Sequence, residues 1–314
     1  MKLIFTHCWH LTGYIPTCRV EDKPEWLQFQ FDRMLEVVDI ANTYGADLVI
    51  GGDLFDQPRV DDEVITLFLR AMSVLIGTVH IIGGNHSLSE HREANIDRSS
   101  LGIIKAITDS GNKKILYHVC DEFLIDGRFE HSYKLNDDVT LVHTLAVDAD
   151  EVPFAWKAIT AKELGEKYNT PWVLVGDNHK HFICSYGDQR VISAGCLIAE
   201  SVNENDYELG VYYIDTGNKV DVTTQNDPKP VYRVSKSEIK FIPVHHNKDL
   251  VSSAHIKEKP TDEALQAMLE VLKETGGDAS IDFLRDLLDY VVKHEVSAEA
   301  VKVIENIRDS KEEV

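Results

Sequence analysis

Between residues 2 and 119, short β-branched runs alternate with longer amphipathic stretches, and this alternation constrains the fold more than any other feature of the chain. A pattern that switches between a period of two and a period near 3.6 predicts strands and helices stacked in layers, an α/β architecture. Strands are expected over residues 2–8, 46–52, 78–83 and 113–119, and helices over 24–44, 62–76 and 99–110. Pro24 stands in the first turn of the first helix and Gly45 just past its end, which is where those residue types favour a helix. Further strands are expected at 139–146 and 172–176, flanking a helix at 155–168. Short runs at 182–186, 190–194, 210–215, 219–224 and 230–234 then predict a second sheet.

The last part of the chain changes character. Leu265, Met268, Leu269 and Leu272, followed by Ile281, Leu284, Leu287, Leu288 and Val291, recur at helical spacing and predict a small helical module over 261–314. Residues 235–260, with Pro243, several lysines and His245-His246, read as a linker, leaving 1–234 as the layered domain.

Chemistry-bearing residues collect at one topological place. Cys8-Trp9-His10, Gly52-Asp53-Leu54-Phe55-Asp56, Gly84-Asn85-His86 and Gly176-Asp177-Asn178-His179 each follow an expected strand, and His143 lies within the run 139–146. Open α/β sheets bind ligands beyond the carboxyl ends of their strands. Imidazole, carboxylate and amide oxygen together suit Mn, Fe or Zn, and a carboxylate such as Asp53 can bridge two ions roughly 3.5 to 4 Å apart. The glycines before Asp53, Asn85 and Asp177 permit close backbone approach. Taken singly, each motif has a bland alternative: His10 as a polar loop residue, Asp53 and Asp56 as caps of the following helix, His143 as a core histidine. Their ordered combination is specific, and fourteen histidines are about twice an average share.

Composition narrows the surroundings of such a site. A net charge of −21 argues against a broad phosphate-gripping surface, so contact with nucleic acid has to be local or shared with a partner. Five cysteines without a CxxC pair are expected as reduced thiols. The amino-terminal apolar run is too short for a signal peptide and no stretch reaches membrane-spanning length, so the expectation is a cytoplasmic protein with no membrane contact.

The motif order resembles the DxH, GDxxD, GNH, H, GHxH series of the calcineurin-like metallophosphoesterases over about residues 1–200. Within that superfamily the chain is similar to the SbcD-type nuclease subunit of SbcCD recombination complexes, phage versions included. Leu11, the GDNHKHF run at 176–182 and the SAGCLIAES stretch at 193–201 carry this narrower likeness. The resemblance implies a four-layer sandwich of two mixed β-sheets flanked by helices. It implies two divalent metal ions, Mn in the family, one held by Cys8, His10, Asp53 and His179 and the other by Asp53, Asn85, His143 and Asp177. His86 would act as general acid or charge stabiliser with Asp56 orienting its ring.

The implied activity is phosphodiester hydrolysis in DNA during recombination, repair or degradation, with the helical tail docking on an SbcC-like coiled-coil ATPase and a homodimer possible. Three positions depart from the pattern: Cys8 replaces an aspartate, Asp177 a histidine and Ser87 an aspartate. Cys8 and Asp177 can still bind metal, and a thiolate at Cys8 moves the preference towards Zn or Fe. A small-molecule phosphodiesterase or phosphatase, or a catalytically weakened scaffold subunit, are the alternatives. His7 is a further candidate ligand and His181 a candidate substrate contact.

Overall fold

A computed structural model of the chain describes residues 1–125, 128–149, 158–217, 219–221, 232–234 and 237–254. Its first half is β1 (Lys2–Thr6), α1 (Lys23–Tyr44), β2 (Asp47–Ile50), α2 (Asp62–Ser73), β3 (Val79–Ile82), α3 (Leu101–Asp109) and β4 (Ile115–His118). α1 starts where Asp22 accepts from the Glu25 amide and Glu25 returns the bond to the Asp22 amide, with Pro24 in the first turn. It stops at Gly45, whose φ of 57° admits the left-handed cap. These are the ends that the sequence pattern predicts.

The second half runs β5 (Asp121–Ile125), β6 (Arg128–Lys134), β7 (Val139–His143), β8 (Ala146–Val147), β9 (Ile159–Thr160), α4 (Ala161–Tyr168), β10 (Trp172–Gly176), β11 (Phe182–Tyr186) and β12 (Gln189–Ser193). It continues through β13 (Gly210–Asp215), β14 (Lys219–Asp221), β15 (Tyr232–Val234) and β16 (Glu238–Pro243). Two six-stranded sheets result, ordered β16-β13-β1-β2-β3-β4 and β11-β12-β10-β7-β6-β5. In the first, β1 to β4 are parallel neighbours while β13 and β16 add on antiparallel. In the second, β7, β10 and β12 are parallel and β11 and β6 antiparallel, so both sheets are mixed.

Strand parity sorts the side chains into layers. Leu3 and Phe5 of β1 join Leu141 of β7, Trp172 and Leu174 of β10 and Ile192 of β12 in one core between the sheets. Ile4 and Leu48 point the other way, into a core shared with Trp26, Met34 and Val37 of α1, Phe68 of α2 and Leu101 and Ile104 of α3. Val173, Val175 and Val191 face Ala161 and Leu164 of α4 on the outer side of the second sheet. Helices, sheet, sheet, helix is therefore the four-layer α/β sandwich expected.

Two expectations are corrected. The runs 210–215, 219–224 and 230–234 do not belong to the second sheet: β14 and β15 pair with each other in a two-stranded sheet, and β13 pairs with β1 and β16, its faces buried by Tyr212 and Ile214 in the core between the sheets and by Val211 and Tyr213 in the helix-side core. The segment 235–260 is not simply a linker, since β16 pairs with β13 over its whole length. Its alternating, half-buried pattern is that of an edge strand, and Pro243 is tolerated because it ends the strand. β5 and β6 went unread, although Asp126-Gly127 between two alternating runs is a hairpin signal. The helical module at 261–314 lies outside the described residues, and no described helix is long and apolar enough to cross a membrane.

Candidate metal centre

All the singled-out motifs leave the carboxyl ends of strands at one rim of the sandwich. The turns after β1 and β2 are zipped together by backbone bonds, Cys8 N–H to Gly52 O at 3.1 Å, Trp9 N–H to Asp53 O at 2.9 Å and Leu11 N–H to Leu54 O at 3.0 Å. Cys8, His10, Asp53 and Asp177 sit at φ of 49°, 45°, 48° and 89°, left-handed backbone that costs of order 1–3 kcal/mol at each such residue. Strain of that size at four neighbouring positions is retained only where the surrounding structure imposes it. The glycines meet the expectation placed on them: a Cβ on Gly52 would collide with His143 Nδ1, one on Gly84 with Asp53 Oδ1, and one on Gly176 with the Gly51 carbonyl.

Ligand-type atoms gather in two groups, linked by a third to which each contributes one residue. In the first, Cys8 Sγ and ring nitrogens of His10 and His179 all lie within 4.8 Å of one another. In the second, Asp53, His143 and Asp177 meet the same limit, and Asn85 Oδ1 approaches His143 Nε2 to 2.8 Å. A third grouping of His10, Asp53 and His86 links the two. The seven positions named from sequence thus converge.

Hydrogen bonding shows that these groups suit cations. His143 Nδ1 donates to Gly51 O at 3.0 Å, so Nε2 is the nitrogen that meets Asn85 Oδ1 at 2.8 Å, Asp53 Oδ2 at 3.1 Å and Asp177 Oδ1 at 4.0 Å. One proton on Nε2 cannot serve Asn85 Oδ1, Asp53 Oδ2 and Asp177 Oδ1 together. A divalent ion, with several coordination directions, would satisfy all of these lone pairs at once. His10 and His179 present the same case: their Nε2 atoms face each other at 3.2 Å, while His179 Nδ1 meets Glu204 Oε1 at 2.5 Å and His10 Nδ1 lies 3.4 Å from Asp56 Oδ1. Two lone pairs so close call for a proton or a metal between them.

The titration behaviour follows from the same contacts. Burial alone would depress the His143 imidazole, but the Asp53 carboxylate beside it raises it to about 9. Burial likewise opposes the upward shift of His179, and the Glu204 carboxylate outweighs burial and raises it. Asp53 is held well below the usual carboxylate range because His143 outweighs the effect of burial. Burial, then the Asp53 and Asp177 charges, push the Cys8 thiol well up, so without a cation it stays protonated. Cys8 would bind a divalent ion as the thiolate, because the ion's charge would offset those of Asp53 and Asp177.

Several residues stand differently from their expected roles. The Asp56 carboxylate is nearer to His10 (3.4 Å) than to His86 (3.8 Å), and it is the Asp56 backbone carbonyl that takes the His86 Nδ1 proton, at 3.2 Å. Asp56 therefore contacts both rings rather than His86 alone. His86 stays at the rim, partly exposed, with its amide on Asp53 Oδ1 at 2.9 Å and its ring edge-on to His10. Ser87 accepts from the Phe55 amide and donates to the Phe55 carbonyl, clasping the turn after β2. His181 stacks on Phe241 and meets Tyr212 Oη at 3.1 Å, and His7 bonds residues of the opposite sheet. The residue that sequence reasoning missed is Glu204. Its Oε2 accepts the Glu200 and Ser201 amides at 2.8 and 3.0 Å, leaving Oε1 for His179. Ser201-x-x-Glu204 has the spacing of a capping box, the one local signal that could have pointed to it.

A family profile described as calcineurin-like phosphoesterase matches residues 1–292. Among solved structures, the chain is similar to an archaeal phosphodiesterase at 12% identity, covering 76% of this chain and 100% of that one, with a TM-score of 0.37. It is similar to vacuolar protein sorting 29 of Cryptosporidium parvum at 10% identity, over 77% of this chain and 98% of that one, TM-score 0.37. A hypothetical protein of Pyrococcus horikoshii aligns at 10% identity over 96% of this chain and 97% of its own, TM-score 0.38. No curated protein matches.

Proposed function

Because the chain belongs to the calcineurin-like phosphoesterase family, a group of metal-dependent hydrolases of phosphoester bonds, we propose that its substrate is the phosphodiester backbone of DNA and that it serves as the nuclease subunit beside an SbcC-like coiled-coil ATPase. The observation that carries the catalytic part is the pair of cation-seeking groups, Cys8–His10–His179 and Asp53–His143–Asp177, linked through the His10–Asp53–His86 cluster. In this reading Cys8, His10, Asp53 and His179 hold one divalent ion and Asp53, Asn85, His143 and Asp177 the other. When bound, the two ions supply Lewis-acid neutralisation of the phosphoryl oxygens and acidify an attacking water.

The chain's own residues do the rest. Asp53 fixes the spacing of the two sites, and Glu204 and the Gly51 carbonyl hold His179 and His143 in the tautomers that turn Nε2 inward. His86, whose Nδ1–H donates to the Asp56 carbonyl, would give a proton from Nε2 to the departing oxygen as the imidazolium, with both ring nitrogens protonated. The first site, with a thiol and two imidazoles, favours Zn or Fe, while the oxygen-rich second site suits Mn as well.

A second reading, hydrolysis of small phosphodiesters, is favoured by the net charge of −21, which a polyanion approaching the chain alone has to overcome. Hydrolysis of linear duplex DNA, single-stranded DNA, cyclic nucleotides and bis-nitrophenyl phosphate, each with Mn, Zn or Fe, separates the two. Cleavage of DNA by the chain, alone or with its ATPase, is expected. Turnover of the small diesters without any action on DNA would sink the nuclease reading.

A further inference from the structure

We propose that His7, which is not one of the metal-site residues, is a positioning residue that staples the ligand turn of one sheet to the ligand turn of the other. Strand parity puts it there: residues 3 and 5 of β1 face the second sheet, and residue 7, just past the strand end, keeps that direction. Its imidazole is fully buried. Nε2 accepts the Ala194 amide at 3.1 Å and the Gly195 amide at 3.0 Å, so Nδ1 carries the proton. Ser193 Oγ, 3.0 Å from the same nitrogen, donates onward to the Asn178 carbonyl at 3.2 Å.

The turn that His7 grips is the one both ligand loops lean on. Directly after Gly195, the Cys196 amide donates to the His179 carbonyl at 3.0 Å and the Leu197 amide to the Cys8 carbonyl at 3.3 Å. Residues 193–197 thus touch Asn178, His179 and Cys8 in turn, and His7 fixes them from the amino-terminal side of Cys8. Without that acceptor, two buried amides lose their partner, and a buried N–H left unpaired is costly. The placement of His179 relative to Cys8 and His10 loosens first, because Cys8 and His10 stay bonded to Gly52 and Asp53, and His143 to Gly51 O, through contacts that do not involve residues 193–197.

This inference rests on the two-ion reading for its consequence but not for its geometry, and two measurements on the full chain keep them apart. Three variants serve. H7Q keeps an acceptor near the Nε2 position, H7N is too short to reach, and H7L removes the acceptor at similar bulk. In the metal-free protein, amide hydrogen exchange at Ala194 and Gly195 is expected to accelerate more than tenfold in H7N and H7L and to stay near wild type in H7Q. In cobalt titrations, the thiolate-to-cobalt charge-transfer band reports the Cys8 site. Its affinity is expected to fall about 10–100-fold in H7N and H7L, to recover in H7Q, and to leave the second ion within about threefold.

Unchanged exchange in H7N overturns the staple. Faster exchange with unchanged cobalt affinity overturns its role in positioning. Should H7L not fold, H7Q against H7N still decides. Absence of the band in the wild-type protein would sink Cys8 as a ligand, while the exchange data would judge the staple independently.

Discussion

At the scale of single residues, the centre is legible because its members are chemically conspicuous and follow strands, and its supports are not because they act through backbone groups. Asp53, Asn85, His143 and His179 could be named from order and type alone. Glu204 could not, since its effect on His179 depends on a turn that brings the two together across 25 residues. Replacing Asp53 by Asn removes the charge common to both groups; metal analysis is expected to show loss of both ions, with turnover down at least ~10²–10³-fold. Glu204→Gln breaks the partnership with His179, and the first ion's affinity is expected to fall about 10–100-fold by calorimetric titration while the second is retained. Cys8→Asp exchanges a soft ligand for a hard one at a backbone conformation that Asp tolerates; Mn-dependent turnover is expected to rise relative to Zn-dependent turnover, and an unchanged ratio would remove Cys8 from the ligand set.

At the scale of elements, periodicity located most strands and helices of the first half, because each β–α step is local in sequence. Edge strands such as β16 and the hairpin partners β5 and β6 carry mixed, charged faces, so period alone does not separate them from loops. Between β3 and β4 lies a feature outside the metal centre with a measurable signature. Glu93 is buried beside Gly83, with Tyr117 Oη 2.8 and 2.9 Å from its two carboxylate oxygens. Burial raises its carboxyl to about 7, from the ordinary 4.5 of a glutamate. The folded chain thus holds this proton more tightly than the unfolded chain does. Its contribution to stability is fully present below pH 4.5, declines as pH rises through about 7, and is absent above. Glu93→Gln is therefore expected to melt like wild type near pH 4.5 and to exceed it by on the order of 2 kcal/mol above pH 8, measured by denaturant unfolding.

At the scale of the whole molecule, the excess of acidic residues sets how a substrate arrives. A chain of net charge −21 is expected to bind duplex DNA alone more weakly than the ~10⁻⁴–10⁻⁶ M usual for non-specific contact at physiological salt. Its hydrolysis of small diesters should scarcely respond to added salt, whereas any cleavage of duplex should drop as salt rises; gel-shift and rate measurements between low and physiological salt check both. The pairing of β1 with β13 has a consequence of another kind. During synthesis one side of β1 stays open until residues 210–215 arrive, and β13 in turn waits for β16. Closing such distant partners is slow, and an unpaired strand edge is exposed to neighbours in the interval. Chains stalled before residue 243 are thus the ones that should need a chaperone, however sound their earlier helices.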